Sequence, residues 1–241
     1  MIKTWFITGA SRGIGAEIAK AALAAGDNVV ATGRDLARLE TLFGCYGERV
    51  LSVQLDVAQE GQAALAVEAA LRRFGRIDVA VNNAGYGQLG PFEENDVKAV
   101  ERQFATNVFG VFHVCRAVLP VMRGQRSGHI FNISSIAGVA GMGGAALYCS
   151  AKFAIEGFSE ALAQEVARKG VTVNTVSPGY LATKMVMAVP EDVRNSIIAG
   201  IPVGRLGKPE EIAALVTFIA SEAAGFMTGS NVAMNGGQHM Y

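Results

Sequence analysis

Short apolar runs alternate along the chain with longer stretches in which apolar residues return every three or four positions. The short runs predict strands at Lys3–Thr8, Asn28–Thr32, Val50–Leu55, Val79–Asn82, His129–Ile133, Val171–Val176 and Asn231–Met234. The stretches between them predict helices at Gly13–Ala25, Asp35–Phe43, Gln62–Phe74, near Asp96–Thr106 and Phe109–Met122, then at Leu147–Lys169 and near Glu210–Ala220. Strands separated by helices require crossover connections, so the expected architecture is α/β, with a seven-stranded parallel sheet covered by helices on both faces. No linker or repeat divides the sequence, and residues 1–241 are expected to form a single domain.

One segment interrupts the alternation. Thr183–Leu206 follows the sixth strand, is rich in Met and Ile, and contains Pro190 and Pro202. Because it leaves the carboxyl end of a strand, where open α/β sheets bind ligands, it is expected to be a lid over a site. A peripheral helical hairpin is the plainer alternative.

Composition changes this picture in three ways. Lys plus Arg and Asp plus Glu both number 21, so bulk charge offers no hold on nucleic acid or an anionic membrane. No unbroken apolar run reaches the ~20 residues of a membrane span. Cys45, Cys115 and Cys149 are too scattered for a disulfide framework, and His113, His129 and His239 lack ligand spacing; a cytoplasmic chain without a metal is expected. Glycine is abundant, at 29 residues, and falls at the turns between apolar runs. The apolar pairs around Met185–Met187 and Phe226-Met227 are expected to be lid and core packing.

The first of those turns is Thr8-Gly9-Ala10-Ser11-Arg12-Gly13-Ile14-Gly15, between a strand and a helix. Gly9 permits the turn, Gly13 admits a pyrophosphate close to the backbone, and Gly15 lets the helix pack on the strand. The helix N-terminus then offers N–H donors and a positive dipole end. This is the context of a dinucleotide-binding (Rossmann) fold. At the end of the second strand, where NAD binders place an acid, the residues are Thr32-Gly33-Arg34. Arg34 and Arg12 suit a 2′-phosphate, so the expected cofactor is NADPH/NADP+. Asp56-Val57 is placed to meet the adenine. Asn83, Ala84 and Gly85 are placed on the adenosine side. Simple turn chemistry is the alternative for these positions.

Tyr148 and Lys152, four apart on a predicted helix, share a face. Ser134-Ser135 ends the fifth strand, Asn107 marks a helix break, and Pro178-Gly179 ends the sixth strand. Together they suit reduction of a carbonyl by hydride from a nicotinamide. Tyr148 would give the proton. Bringing its ordinary pKa of ~10 near 7 takes ~4 kcal/mol, about what a cation ~4 Å away supplies at an effective dielectric of ~20. Lys152 is the cation expected to do this and to bond the nicotinamide ribose. Ser135 would polarise the carbonyl, and Asn107 would hold a water relaying protons to Lys152.

These motifs, with Asn82-Asn83-Ala84-Gly85 and Ser177–Thr183, resemble the short-chain dehydrogenase/reductase family over essentially the whole length. The resemblance implies a tetrad of Asn107, Ser135, Tyr148 and Lys152. Its thirteen-residue serine-to-tyrosine spacing favours Ser135 over Ser134. It also implies a cofactor contact at Thr183 and a homotetramer with long helices such as Leu147–Lys169 between subunits. Gln164–Tyr180, Ile201–Ile212 and Asn235–Met240 are similar to bacterial acetoacetyl-CoA reductases, in which the lid and the tyrosine at the place of Tyr180 help bind acyl-CoA. The front two-thirds look more like general carbonyl reductases. Gly138–Leu147, small and apolar where such acyl-CoA enzymes carry polar residues, suits a hydrophobic ketone. A small-molecule ketone or an acyl-CoA is the expected substrate, and a non-catalytic dinucleotide-binding regulator is the alternative from another class.

Overall fold

The computed structural model describes residues 1–240; Tyr241 and the side chain of Met185 lie outside the described residues. The sheet is built from β1 (Thr4–Ile7), β2 (Asn28–Gly33), β3 (Val50–Gln54), β4 (Val79–Asn82), β5 (Gly128–Ile133), β6 (Val171–Pro178) and β7 (Asn231–Met234). All pairings are parallel and the spatial order is β3-β2-β1-β4-β5-β6-β7. The chain thus works outward from β1 in one direction, then returns to β4 and works outward in the other. The reversal between β1 and β4 opens a crevice at their carboxyl ends.

Successive side chains point to opposite sides, and the inner strands are buried on both faces while the edge strands β3 and β7 are half-buried. Trp5, Ile7, Val29, Ala31, Val79, Val81 and Phe131 belong to one core, packed under α1 (Gly13–Ala24), α2 (Leu36–Phe43) and α9 (Pro209–Ile219). The residues between them, Phe6, Val30, Ala80 and Ile130, belong to the other core. That core lies under α3 (Glu60–Phe74), α5 (Gly110–Gln125) and α6 (Ala146–Val166). Neither core is partial: Phe6, Phe43, Phe131, Ile18, Ile130 and Ile155 are all nearly inaccessible to solvent. The expected architecture and strand positions are those observed.

Three details differ from the sequence reading. The expected break at Asn107 is a single π-turn, Ala105–Phe109, joining α4 (Val97–Phe104) to α5 without interrupting the helical path. The resulting run, Val97–Gln125, is long and apolar enough by length and composition to cross a bilayer, although it carries Lys98, Glu101, Arg102, Arg116 and Arg123. Here Val111, Val114, Val118 and Met122 face the sheet, as in a core helix. Met227 packs partly on the core, but Phe226 is fully exposed and is not core packing; Met187, on the 183–206 segment, is half exposed. Both sit where a short turn or helix turns its apolar side outward. The segment after β6 forms α7 (Lys184–Met187) and α8 (Glu191–Ala199), which bury none of α8's side chains.

Candidate active site

The phosphate-loop turn is held by side chains that the motif did not name. Thr8 is buried, and its hydroxyl accepts the backbone N–H groups of both Asn83 and Ala84, each at 3.0 Å. Asn83 does not face outward toward an adenosine. Its amide donates to the carbonyls of Thr8 at 2.9 Å and Gly9 at 3.1 Å, bracing the turn from beneath. A side chain at Gly15 would collide with that amide and with the Gly9 carbonyl. Gly13, at φ +56°, has open space where a Cβ would be, so the turn's outer surface is free to receive a ligand. Arg12 forms the N-cap of α1 without a side-chain cap bond, leaving the first-turn N–H donors of the helix available. Ile14 points inward onto the core. A pyrophosphate fits this turn.

The turn also touches the end of β2. A Cβ at Gly33 would lie 3.7 Å from the Ser11 hydroxyl, so Arg12 and Arg34 follow two positions that are in contact. Both arginines are exposed. A third, Arg38, was not expected: its Nε donates to the Ser11 carbonyl at 2.8 Å, from the first turn of α2. Its offset, four residues beyond Arg34 on a helix capped by Asp35, was the available signal. Arg34 and Asp56 line an open cavity of about 450 Å³ with Val53, Gln54, Gln62 and Leu65. Asp56 spends one oxygen on the backbone N–H of Ala58, at 3.0 Å. Val57 is buried against α5, so its side chain is core; its backbone carbonyl meets His113 Nδ1 at 2.9 Å.

The carboxyl ends of β4 and β5 carry the polar centre. A Cβ at Gly85 would sit 3.2 Å from Asn107 Oδ1 and 3.8 Å from Lys152 Nζ, which places all three together. Asn107 is almost fully buried and clamps the backbone of Tyr86, accepting its N–H at 3.1 Å and donating to its carbonyl at 2.7 Å. Gln103, one turn earlier and wholly buried, does the same for the next step of the loop. It accepts from Gln88 N at 3.0 Å and donates to the Tyr86 carbonyl at 2.9 Å. Sequence reasoning missed Gln103, although its spacing from Asn107 places it on the same helical face. The two amides hold Gly87 against the Tyr148 ring, where a Cβ would lie 3.7 Å from the ring.

Lys152 is buried and donates to the Ile133 carbonyl at 2.7 Å. Its Nζ lies 5.7 Å from the centroid of the Tyr148 ring. Burial pulls its pKa down to about 8, opposed by the charge of Glu156. Tyr148 differs from expectation. Burial pushes its pKa above the ordinary value, the nearby Ser135 hydroxyl works against that, and Cys149 adds to it. In this arrangement the Lys152 ammonium donates to the Ile133 carbonyl and not to the phenol. Ser135 is half-buried, caps the Ile136–Gly138 turn by accepting from Ala137 N at 3.2 Å, and faces Tyr148. Ser134 is buried beneath it, with its hydroxyl unpartnered. Ser135 is therefore the serine on the open side. Ser135, Tyr148, Lys152 and Asn107 are thus grouped beside the glycine-rich turn, an arrangement able to bond a carbonyl oxygen and pass it a proton.

A family model described as enoyl-(acyl carrier protein) reductase matches residues 9–239. An acetoacetyl-CoA reductase of Shinella zoogloeoides is 46% identical over 99% of this chain and 99% of its own. The chain belongs to the short-chain dehydrogenase/reductase family. It is an oxidoreductase, and enzymes of this family use nicotinamide dinucleotide cofactors. The 3-oxoacyl-[acyl-carrier-protein] reductase of Escherichia coli is 37% identical over 99% of this chain and 98% of its own. An oxidoreductase of Botryotinia fuckeliana is 48% identical over 76% of this chain and 67% of its own. The likeness to acetoacetyl-CoA reductase spans the whole chain rather than its C-terminal third alone.

At the substrate side, β6 ends at Pro178, and Gly179 N donates to Met234 O at 3.2 Å. Tyr180 N donates to the side chain of Gln238 at 3.0 Å, so the C-terminal tail props this corner. Thr183 is half-buried at the start of α7 and accepts from Met187 N at 2.9 Å. The two ends of the 183–206 segment meet in a backbone pair: Ala182 N donates to Gly207 O at 2.8 Å, and Gly207 N donates to Tyr180 O at 3.0 Å. Opposite, Ala137, Ala145, Cys149 and Met142 form a small apolar wall beside Tyr148.

Proposed function

We propose that the protein is an NADPH-dependent carbonyl reductase acting on 3-oxoacyl-CoA, acetoacetyl-CoA first among them, or on a related β-keto ester or hydrophobic ketone. The observation that carries this reading is the meeting of Ser135, Tyr148 and Lys152 at the end of β5, adjoining the phosphate turn through Ala84 and Gly85. Whole-length likeness to an acetoacetyl-CoA reductase supports the substrate class.

A bound nicotinamide dinucleotide supplies the hydride. The chain supplies the rest. Gly9, Ser11, Gly13, Gly15 and the donors of α1 hold the pyrophosphate, while Arg12 and Arg34, with Arg38 behind them, face the 2′-phosphate. Asp56 takes the adenine end, and Pro178, Gly179 and Thr183 flank the nicotinamide end. Ser135 donates to the substrate oxygen and fixes its direction. Tyr148, its pKa raised by burial, keeps its proton through the neutral range and releases it only to the oxygen that becomes the alcohol. Lys152 stabilises the phenolate left behind, bonds the cofactor ribose and recovers a proton by way of a water held near Asn107. The 183–206 segment closes over the substrate as a lid, Tyr180 stands at its base, and the protein works as a cytoplasmic homotetramer of single-domain subunits.

NADPH oxidation with acetoacetyl-CoA, run beside aryl ketones and free β-keto esters, tests this reading. Preference for the thioester by more than ~100-fold in kcat/KM, about 2.7 kcal/mol, is the expected result. Preference for the free ketones would transfer specificity to the apolar wall of Ala137, Met142 and Ala145. No NADPH oxidation with any of these carbonyls would remove the proposal.

A further inference from the structure

A second charged side chain lies behind Lys152. Glu156 is four residues further along α6, on the same helical face, and only 9% exposed. Its carboxylate accepts from Thr175 Oγ1 at 2.6 Å and from Ser177 Oγ at 3.3 Å, both on β6. Ser177 in turn accepts from Asn231 on β7 at 2.8 Å. Each of its two oxygens thus meets one hydroxyl of β6. A buried carboxylate is costly unless a cation is near, and so is a buried ammonium. No arginine, lysine or histidine forms an ion pair with Glu156 among the described residues.

We propose that Glu156 is a positioning residue, a buried counter-charge that keeps Lys152 protonated and aimed at the Ile133 carbonyl beside Tyr148. This rests on the proposed role of Tyr148 and Lys152. The packing leaves few competitors. On α6 itself the titratable neighbours are Tyr148 and Cys149, with Glu160 and Glu165 further along and exposed to solvent. β6, the Ile136–Gly138 turn and the Ala105–Phe109 turn contribute no titratable side chain, and α4 turns Lys98, Glu101 and Arg102 to solvent. The short turn Ala167–Lys169 carries exposed Arg168 and Lys169, more than two helical turns beyond Glu156. Glu156 is also the group whose charge opposes the downward pull of burial on Lys152.

The test is the pH profile of kcat/KM for ketone reduction. Reduction is expected to fail as Lys152 loses its proton, so wild type loses activity above about pH 8. Glu156→Gln keeps the side-chain shape but removes the charge, and its alkaline limb should move about one pH unit lower, with kcat near pH 6 within about threefold of wild type. Glu156→Asp should return the limb toward its wild-type position. A merely structural role would lower activity at every pH without moving the limb, and an unmoved limb in Glu156→Gln overturns the proposal. Should that variant not fold, the double variant Glu156→Leu with Thr175→Val keeps the Ser177 hydroxyl that accepts from Asn231 and carries the same readout. Tyr148→Phe, assayed alongside, separates the two claims. If it is inactive while the Glu156→Gln limb is unmoved, Glu156 alone loses its role; if it retains turnover, both readings fall.

Discussion

At the scale of the residue, Tyr148 and Arg34 carry the sharpest expectations. Tyr148→Phe deletes one hydroxyl and should leave NADPH affinity, read by fluorescence titration, within about twofold, while kcat falls by roughly 10²–10⁴, the usual contribution of a positioned acid. Arg34→Ala should raise the Kd for NADPH by about 10–100-fold, the worth of one or two charge-assisted bonds, and leave the Kd for NADH unchanged. An equal loss for both cofactors would move Arg34 off the 2′-phosphate. Much of this was legible in the sequence because the chemistry needs particular side chains at short spacings: Tyr148 and Lys152 on one helix, glycines in one turn. What was not legible acts across the fold. Thr8 and Asn83 are 75 positions apart and lock the same turn. Gln103 and Asn107 fasten a loop fifteen to twenty-one residues away through its backbone, which has no sequence signature. The direction of the Tyr148 shift was misjudged for a similar reason, since a spacing says where a lysine starts and not which carbonyl its ammonium has taken.

At the scale of the element, the segment after β6 is defined by its stem. Arg205 grips Glu211 through both guanidinium nitrogens, at 2.7 and 2.9 Å, and Glu211 also accepts Lys208 N at the start of α9. These bonds hold the Glu211 carboxyl down at about 2. A carboxylate with a depressed pKa contributes above its ordinary value and loses that contribution as pH falls through the lowered one. The stem should therefore loosen between about pH 4.5 and 2, and cleavage of 183–206 by pepsin should accelerate over that interval in wild type but not in Glu211→Gln, which is loose throughout. Replacing residues 184–205 by a short Gly-Ser link should raise KM for the ketone at least about tenfold and leave NADPH affinity intact. The position of this segment was readable from its length and its exit from a strand. Its two helices were readable only as the alternative of a peripheral hairpin, because each is short. The π-turn at Ala105–Phe109 was read as a break for a related reason: Thr106-Asn107 looks like a helix end, and only the packing of α4 and α5 on one sheet keeps the helical path continuous.

At the scale of the molecule, alternation is what made the fold readable. Seven short apolar runs can be buried on both sides only in a parallel sheet between two helical layers, and the residues divide strictly between two cores. Phe131 is wholly buried in the first, and Phe131→Ala should cost about 3–5 kcal/mol in a urea titration. The outer faces were less legible. Val97, Phe109 and Phe153, on α4, the π-turn and α6, are about half exposed or more. Sedimentation should find about four times the chain mass of 25.2 kDa, and Phe109→Asp with Phe153→Asp should reduce it; a wild-type monomer would end the proposal of a homotetramer.

The backbone pair between Tyr180–Ala182 and Gly207 has one more consequence. The stem is tied where the segment begins, and inside the ties Ile201–Val203 packs against the Gly236-Gly237 turn, with Val203 N donating to Gly236 O at 3.1 Å. Loop closure costs little more for a longer insert than for a shorter one. Residues 184–200, between these anchors, can thus change length without disturbing the strand end that carries Ser135 or the helix that carries Tyr148 and Lys152.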